Sequence, residues 1–273
     1  MSASPIETVT GKLPEDWQHR LFAGGILQVI GLPEVAALRA TTERMACEAF
    51  TPHDPTVAHR HLDFPDYLDR AREMQRRFAE GGEVSGLFAD LFRRFASTPL
   101  RDRFHLRVVP PGAARTERPV RSLPAHRDTW ASNLMHQINW WAPVFPITAQ
   151  RTIIFWPDYW SRPIRNNSAA WDLETVKACR SAGRRDYPHL PSALEQPDVT
   201  TVVLPIPKPD EILVFSGAHL HGTAPNTSAQ ARFSFETRTI EAGCAVGRAG
   251  APNVDHGASG VQQHWFQPIN ANL

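Results

Sequence analysis

The spacing of apolar residues along this chain changes once, near residue 103. Upstream it is helical. After Pro33-Glu34, the residues Val35, Leu38, Met45 and Ala49 share a face and predict a helix to about Phe50. A proline in its first turn and an acidic residue at the positive dipole end favour that start. A second helical region is predicted from about Pro65 to Phe95, broken at Gly81-Gly82. Tyr67, Ala71, Met74 and Phe78 mark its first face, and Leu87, Leu91 and Phe95 the next, as helices packed against a sheet would require. Residues 1–16 read as a loosely attached start, and Leu21 to Leu32 as a short strand or turn leading inward. Thr51 to Asp63 reads as a loop whose His53, His59 and His61 are solvated or hydrogen-bonded.

From Arg103 the period is two. Phe104, Leu106 and Val108 alternate with His105, Arg107 and Val109 until Pro110-Pro111-Gly112 stops the strand. Gln137, Asn139 and Trp141 share one face of the next strand, His136, Ile138 and Trp140 the other. A further strand, Thr152 to Trp156, ends at Pro157. The apolar run Ile212 to Phe215 reads as a buried strand. The segment Arg232 to Ile240 returns from a turn with Arg232, Ser234, Glu236 and Arg238 on one face and Phe233, Phe235, Thr237 and Thr239 on the other. Between Asp158 and about Val199 lies a polar stretch with a short helix near Ala169 to Ala182, either a lid or a surface excursion. Helices first and strands second predict a mainly β, α+β chain in which helices pack outside a sandwich or barrel. One domain spanning 1–273 is expected: a helical part over about 20–100, a strand core over about 101–241 and an irregular tail over 242–273, anchored at Trp265-Phe266.

Composition narrows the function. A net charge of +1 leaves no electrostatic footprint for nucleic acid. No apolar run reaches the length of a membrane span. The start has no basic stretch followed by an apolar one, and the three cysteines are far apart, as in a reduced, cytoplasmic protein. A hydrophobic content of 42%, with eight Trp and fourteen Phe, supports a substantial core.

The chemistry lies in the polar positions of the strand half. His126 and Asp128 alternate with Arg127 so that both can point to one side of an extended segment. Two histidines, His219 and His221, lie in the turn before the returning strand. Two imidazoles and one carboxylate with open positions make the facial triad used by non-haem Fe(II) oxygenases. Arg232, with Ser234 on the same face, offers a guanidinium fork for a small carboxylate.

Two blocks carry a family resemblance: His126-Arg-Asp-Thr-Trp130, and Asp210-Glu-Ile-Leu-Val-Phe through His221-Gly-Thr-Ala-Pro-Asn-Thr-Ser to Arg232-Phe-Ser234. The chain resembles the Fe(II)/2-oxoglutarate-dependent oxygenases of the phytanoyl-CoA dioxygenase-like family. The resemblance implies a double-stranded β-helix, or jelly-roll, fold. It implies His126, Asp128 and His221 as metal ligands, with His219 in a supporting role. Arg232, Ser234, Thr223 and Gln137 would hold 2-oxoglutarate. The cofactors would be Fe(II), 2-oxoglutarate and O2, and the reaction a hydroxylation releasing succinate and CO2. Asp128 occupies the position that related halogenases leave to a small residue, so halogenation is not expected. Where family members carry Gly-Ser-His after the strand proline, this chain has Asp158-Tyr159-Trp160, and nothing points to coenzyme A. The expected substrate is a small or medium polar metabolite of amino-acid or natural-product type, met by His105, Arg107, Asn139, Trp141, Trp130 and Trp160. A jelly-roll hydrolase or isomerase and a non-catalytic ligand-binding module are the competing readings. No nucleic-acid or membrane partner is expected, and the oligomeric state is left open.

Overall fold

Strand β9, Arg232–Glu241, sets Arg232, Ser234, Glu236 and Arg238 on one face against Phe233, Phe235, Thr237 and Thr239 on the other and becomes the spine of the molecule. The computed structural model describes residues 5–96, 98–112, 123–184, 187–242 and 250–269. On one side β9 pairs antiparallel with β5, Ile138–Pro143. On the other it pairs with two successive short strands, β3 at Pro99–Arg101 and β4 at His105–Val109. Beyond β5 follow β7, Ile212–Ser216, then β2, Ile26–Ile30, and finally β1, Ile6–Thr10, parallel to β2. With β10, Gln267–Pro268, on β3, these strands make one eight-stranded sheet. A small sheet of β6, Ile153–Phe155, and β8, His221–Thr223, lies apart from it. Bridges from Phe155 to Val203 and from His221 to His126 add a row on each side of the small sheet.

The period of two sorts the side chains between layers. Trp140, Val214, Ile212, Phe233, Phe235 and Leu106 face outward into the main core. There they meet the helices α1 (Trp17–Phe22), α2 (Pro33–Phe50), α3 (Phe64–Glu80) and α4 (Gly82–Arg93). Trp141, Leu213, Phe215 and Ile26 face inward and pack with Ile153 and Phe155 of the small sheet. The architecture is α+β: two facing sheets in a jelly-roll arrangement, with helices covering the outer face of the larger one. Pro33 opens α2 as expected, and Gly81 separates α3 from α4. The Asp63 side chain caps α3 by accepting from Asp66 N at 2.9 Å.

The N-terminal region departs from expectation. Residues within 1–16 are not simply loose, because Ile6–Thr10 adds a strand beside β2. Leu21 to Leu32, read as a short strand or turn within the helical part, contributes β2 to the interior of the large sheet. Its run of apolar residues is too short for its burial on both faces to be told from a turn by spacing alone. In the 158–199 region a helix, α6 at Leu173–Ser181, forms as expected, with Asp172 as its cap. The tail is more than an irregular end. Phe266 anchors it against Leu134 and Ile240, and the side chain of Asp255 is buried against Arg127. Among the described residues no helix is long and apolar enough to cross a membrane.

Candidate metal centre and anion pocket

The backbone brings the two histidines together before any side chain does. His126 N donates to His221 O and His221 N to His126 O, both at 2.9 Å, a reciprocal antiparallel pair. The rings face each other with centroids 4.4 Å apart. His126 Nδ1 lies 2.8 Å from Pro124 O and His221 Nδ1 lies 2.9 Å from His219 O. A carbonyl oxygen only accepts, so each Nδ1 carries the proton and each Nε2 presents its lone pair. Both Nε2 atoms point at one carboxylate: His126 Nε2 is 3.8 Å from Asp128 Oδ1, and His221 Nε2 is 3.7 Å from Asp128 Oδ2. One ligand atom from each of the three residues lies within 4.8 Å of the other two, and all three residues are buried. Burial, and then the neighbouring His221, lowers the His126 pKa to about 4, which keeps the ring neutral as metal ligation requires. The three residues form a metal-binding triad.

Asp128 does not arrive on an extended segment, as the alternation of His126-Arg127-Asp128 suggests. The chain leaves the bridge at His126 and Asp128 has helical dihedrals, φ −63 and ψ −29, at the start of a single turn, α5 (Thr129–Ser132). That turn throws Arg127 to the far side. There it is buried and donates to Ala218 O and Tyr159 O, each at 2.6 Å, and pairs with Asp255 at 3.0 Å. Gly217 supplies the floor: a Cβ there would sit 2.7 Å from Gln137 Nε2 and 3.4 Å from Asp128 Cβ.

The triad opens on a cavity between the sheets. Trp141, Phe215 and Ile153 wall it, and Arg232, Thr223, Asn139, Arg107, Glu236 and Arg238 supply its polar lining. Arg232 reaches across from β9 and donates from Nη1 to Thr152 O at 3.0 Å. Its guanidinium lies 5.9 Å from the Trp141 ring centre, and its Nε has no hydrogen-bond partner among the described residues. Ser234 Oγ, two residues along the same face, is buried and equally without a partner. Burial pushes the Arg232 pKa down to about 10, the mark of a cation lacking a counter-ion.

The other inward cations are neutralised. Arg107 donates twice to Glu236 Oε1, from Nε at 2.9 Å and Nη2 at 2.6 Å. Burial opposes ionisation of Glu236, but Arg107 and Arg238 hold its pKa at about 2. Arg238 pairs with Asp102 at 2.9 Å and with Asp128 at 3.1 Å. Burial raises the Asp128 pKa, and Arg238, followed by His221 and His126, more than reverses this, so the carboxyl stays well below the usual carboxylate range. The alternation of β9 put Arg238 on the inward face, but its partnership with Asp128 required knowing that β9 passes the His-X-Asp turn.

Several residues expected at the site lie elsewhere. Trp130 is fully buried and donates its indole N–H to Asp255 Oδ1 at 2.7 Å, so it props the His-X-Asp turn from behind. Trp160 lies over Gly24, whose added Cβ would be 3.0 Å from its ring, and packs 4.6 Å from His219. Gln137 is buried outside the cavity lining and donates to Asn139 Oδ1 at 3.0 Å. Asn139 in turn donates to Asp128 Oδ2, so the two amides act on the carboxylate. His105 turns toward Asp102, 3.6 Å away, and is not among the cavity-lining groups. His219 packs behind the triad with Nε2 3.3 Å from Gly25 O, and burial pushes its pKa to about 3.

No family model matches the chain, and no curated protein does. Solved structures of similar shape include the epimerase SnoN in complex with Fe3+, alpha ketoglutarate and nogalamycin RO. It is 14% identical, with 93% of this chain and 98% of that one aligned and a TM-score of 0.44. EvdO2 from Micromonospora carbonacea var. aurantiaca complexed with 2-oxoglutarate is 15% identical over 86% of this chain and 93% of that one, with a TM-score of 0.45. EctD from S. alaskensis in its apoform is 12% identical over 88% and 79%, with a TM-score of 0.42.

Proposed function

We propose that this protein is a non-haem Fe(II)/2-oxoglutarate-dependent oxygenase that hydroxylates a small or medium polar molecule, with release of succinate and CO2. The observation that carries the reading is the pairing, in one cavity, of the His126-Asp128-His221 triad with the uncompensated cation of Arg232. The donor set suits a ferrous ion: two neutral imidazoles with free Nε2 lone pairs and one carboxylate. The unpartnered Arg232 Nε and Ser234 Oγ suit the far carboxylate of a dicarboxylic cosubstrate. Bound iron and 2-oxoglutarate would supply the activation of dioxygen at this site.

The chain's own residues do the rest. Pro124 O and His219 O fix the histidine tautomers. Arg232, Ser234 and Thr223 orient the cosubstrate along the cavity. Trp141, Phe215 and Ile153 keep bulk water away from the reacting end. Arg107 and Glu236 offer a substrate a polar wall already neutral in itself, which favours a hydrogen-bonding molecule over a long acyl chain.

The test is anaerobic addition of Fe(II) and 2-oxoglutarate to the metal-free protein, followed by oxygen. The expected results are a visible charge-transfer absorption that needs both additions, and succinate formation that needs Fe(II). Absence of both, with hydrolytic turnover on a zinc-loaded sample instead, would overturn the reading in favour of a hydrolase.

A further inference from the structure

Arg238 has two carboxylates within reach, and only one of them is a candidate metal ligand. Its Nη1 meets Asp102 Oδ2 at 2.9 Å, and its Nη2 meets Asp128 Oδ1 at 3.1 Å. Asp102 sits in the break between β3 and β4, where the row beside β9 is interrupted. Asp102 N donates to Arg238 O at 2.9 Å, so backbone and side chain of the two residues are tied in both directions. The second oxygen of Asp128 takes the amide N–H of Asn139, which is itself held by Gln137. Gly217 closes the space behind the Asp128 Cβ. The Asp128 carboxylate is thus held by one donor on each oxygen and a wall behind its Cβ, with the two histidine Nε2 atoms on its remaining side.

We propose that Arg238, anchored by Asp102, is a positioning residue of the metal centre that fixes the Asp128 carboxylate for coordination. The assignment rests on reading His126, Asp128 and His221 as metal ligands. A purely architectural arginine would be satisfied by Asp102 alone. Arg238 instead spends one arm of its fork on the ligand and lines the cavity beside it. A guanidinium can bridge two carboxylates because its donors leave one plane in fixed directions, whereas an ammonium presents a single point of charge. Partners of this kind, standing behind a ligand, change metal affinity by about 10–100-fold when removed.

The experiment is Co(II) titration of the metal-free protein by visible absorption, with no cosubstrate or turnover involved. Wild type, Arg238→Gln, Arg238→Lys and Asp102→Asn are compared, with circular dichroism to verify the fold of each. The expected result is a Co(II) Kd weakened about 10–100-fold in Arg238→Gln, with an altered Co(II) spectrum at saturation. Arg238→Lys should restore part of the affinity but not the spectrum, and Asp102→Asn should give a smaller loss in the same direction. A folded Arg238→Gln with wild-type Kd and spectrum would overturn the assignment. If that variant does not fold, wild-type Co(II) binding in both Arg238→Lys and Asp102→Asn would overturn it equally. Wild type that binds Co(II) but forms no succinate refutes the oxygenase reading and leaves this one standing. Wild type that binds no Co(II) refutes the metal centre and this assignment with it.

Discussion

Replacing Arg232 with methionine should make the resting protein more stable while removing its response to cosubstrate. Arg232 is 3% exposed, makes one hydrogen bond to Thr152 O at 3.0 Å, and has no ion-pair partner among the described residues. A guanidinium whose pKa falls to about 10 carries roughly 3 kcal/mol of unfavourable free energy in its charged form at neutral pH. Methionine keeps the apolar stem against Trp141 and removes the charge. It also removes the Arg232 bond to the Thr152 carbonyl, a loss of about 1 kcal/mol, although that oxygen keeps its bond from Ala224 N at 2.9 Å. The net expectation is a gain of about 1–2 kcal/mol, in line with other buried charges exchanged for apolar side chains. Urea unfolding of the metal-free protein reads this as a higher midpoint at unchanged slope. A second arm uses Mn(II)-loaded protein under nitrogen. A cosubstrate at a hundredfold excess over its Kd adds about 2.7 kcal/mol of stability, and Arg232→Met should show none of that gain. A variant clearly less stable than wild type in the first arm would refute the uncompensated cation. An undiminished response to 2-oxoglutarate in the second would refute the anion pocket.

His221→Gln should abolish stoichiometric metal binding while His219→Gln retains it, as measured by metal content after dialysis; the reverse pattern would exchange their roles. The folded-state pKa values of His126 and His219, lowered to about 4 and about 3, lie below the ordinary histidine value near 6.5. The unfolded chain thus binds more protons below that value, and metal-free stability should fall as pH drops from about 6.5 to 4, a slope His219→Gln should flatten in urea titrations across that range. Asp255→Ala leaves Arg127 buried without its carboxylate and should cost about 3–5 kcal/mol in urea unfolding, with weaker metal binding because Arg127 adjoins both His126 and Asp128.

The alternation of β9 was legible because a strand between two layers must sort its side chains, and Phe233 and Phe235 sort as surely as Arg232 and Ser234. The same rule placed Asn139, Trp141 and Arg107 on the inner face. It could not say how far along that face the cavity extends, so His105 and Gln137 share the inward direction but miss the lining. Trp130 was misplaced for another reason. It lies beyond the point where the extended segment becomes a turn, and one change of backbone dihedrals at Asp128 reverses its direction. Asp102 and Asp255 were invisible, since each works through a partner more than a hundred residues away and local pattern carries no trace of such pairings. Strand β1 was obscured by its brevity, and β2 lay in a segment whose spacing left strand and turn equally open.

The reciprocal backbone pair between His126 and His221 has a consequence for the life of the chain as a whole. An ion held by both rings ties together two points roughly a hundred residues apart, and so acts as a cross-link across most of the strand-rich half. Closing a loop of that length confines the unfolded ensemble by about 4.7 kcal/mol in the chain-entropy model used for disulfides. Here the tie needs no oxidation and is undone by a chelator. Between the two tied points lie β5, β6, α6 and β7. Metal loading should therefore slow proteolysis throughout that loop, including at the exposed positions Val199 and Ile206.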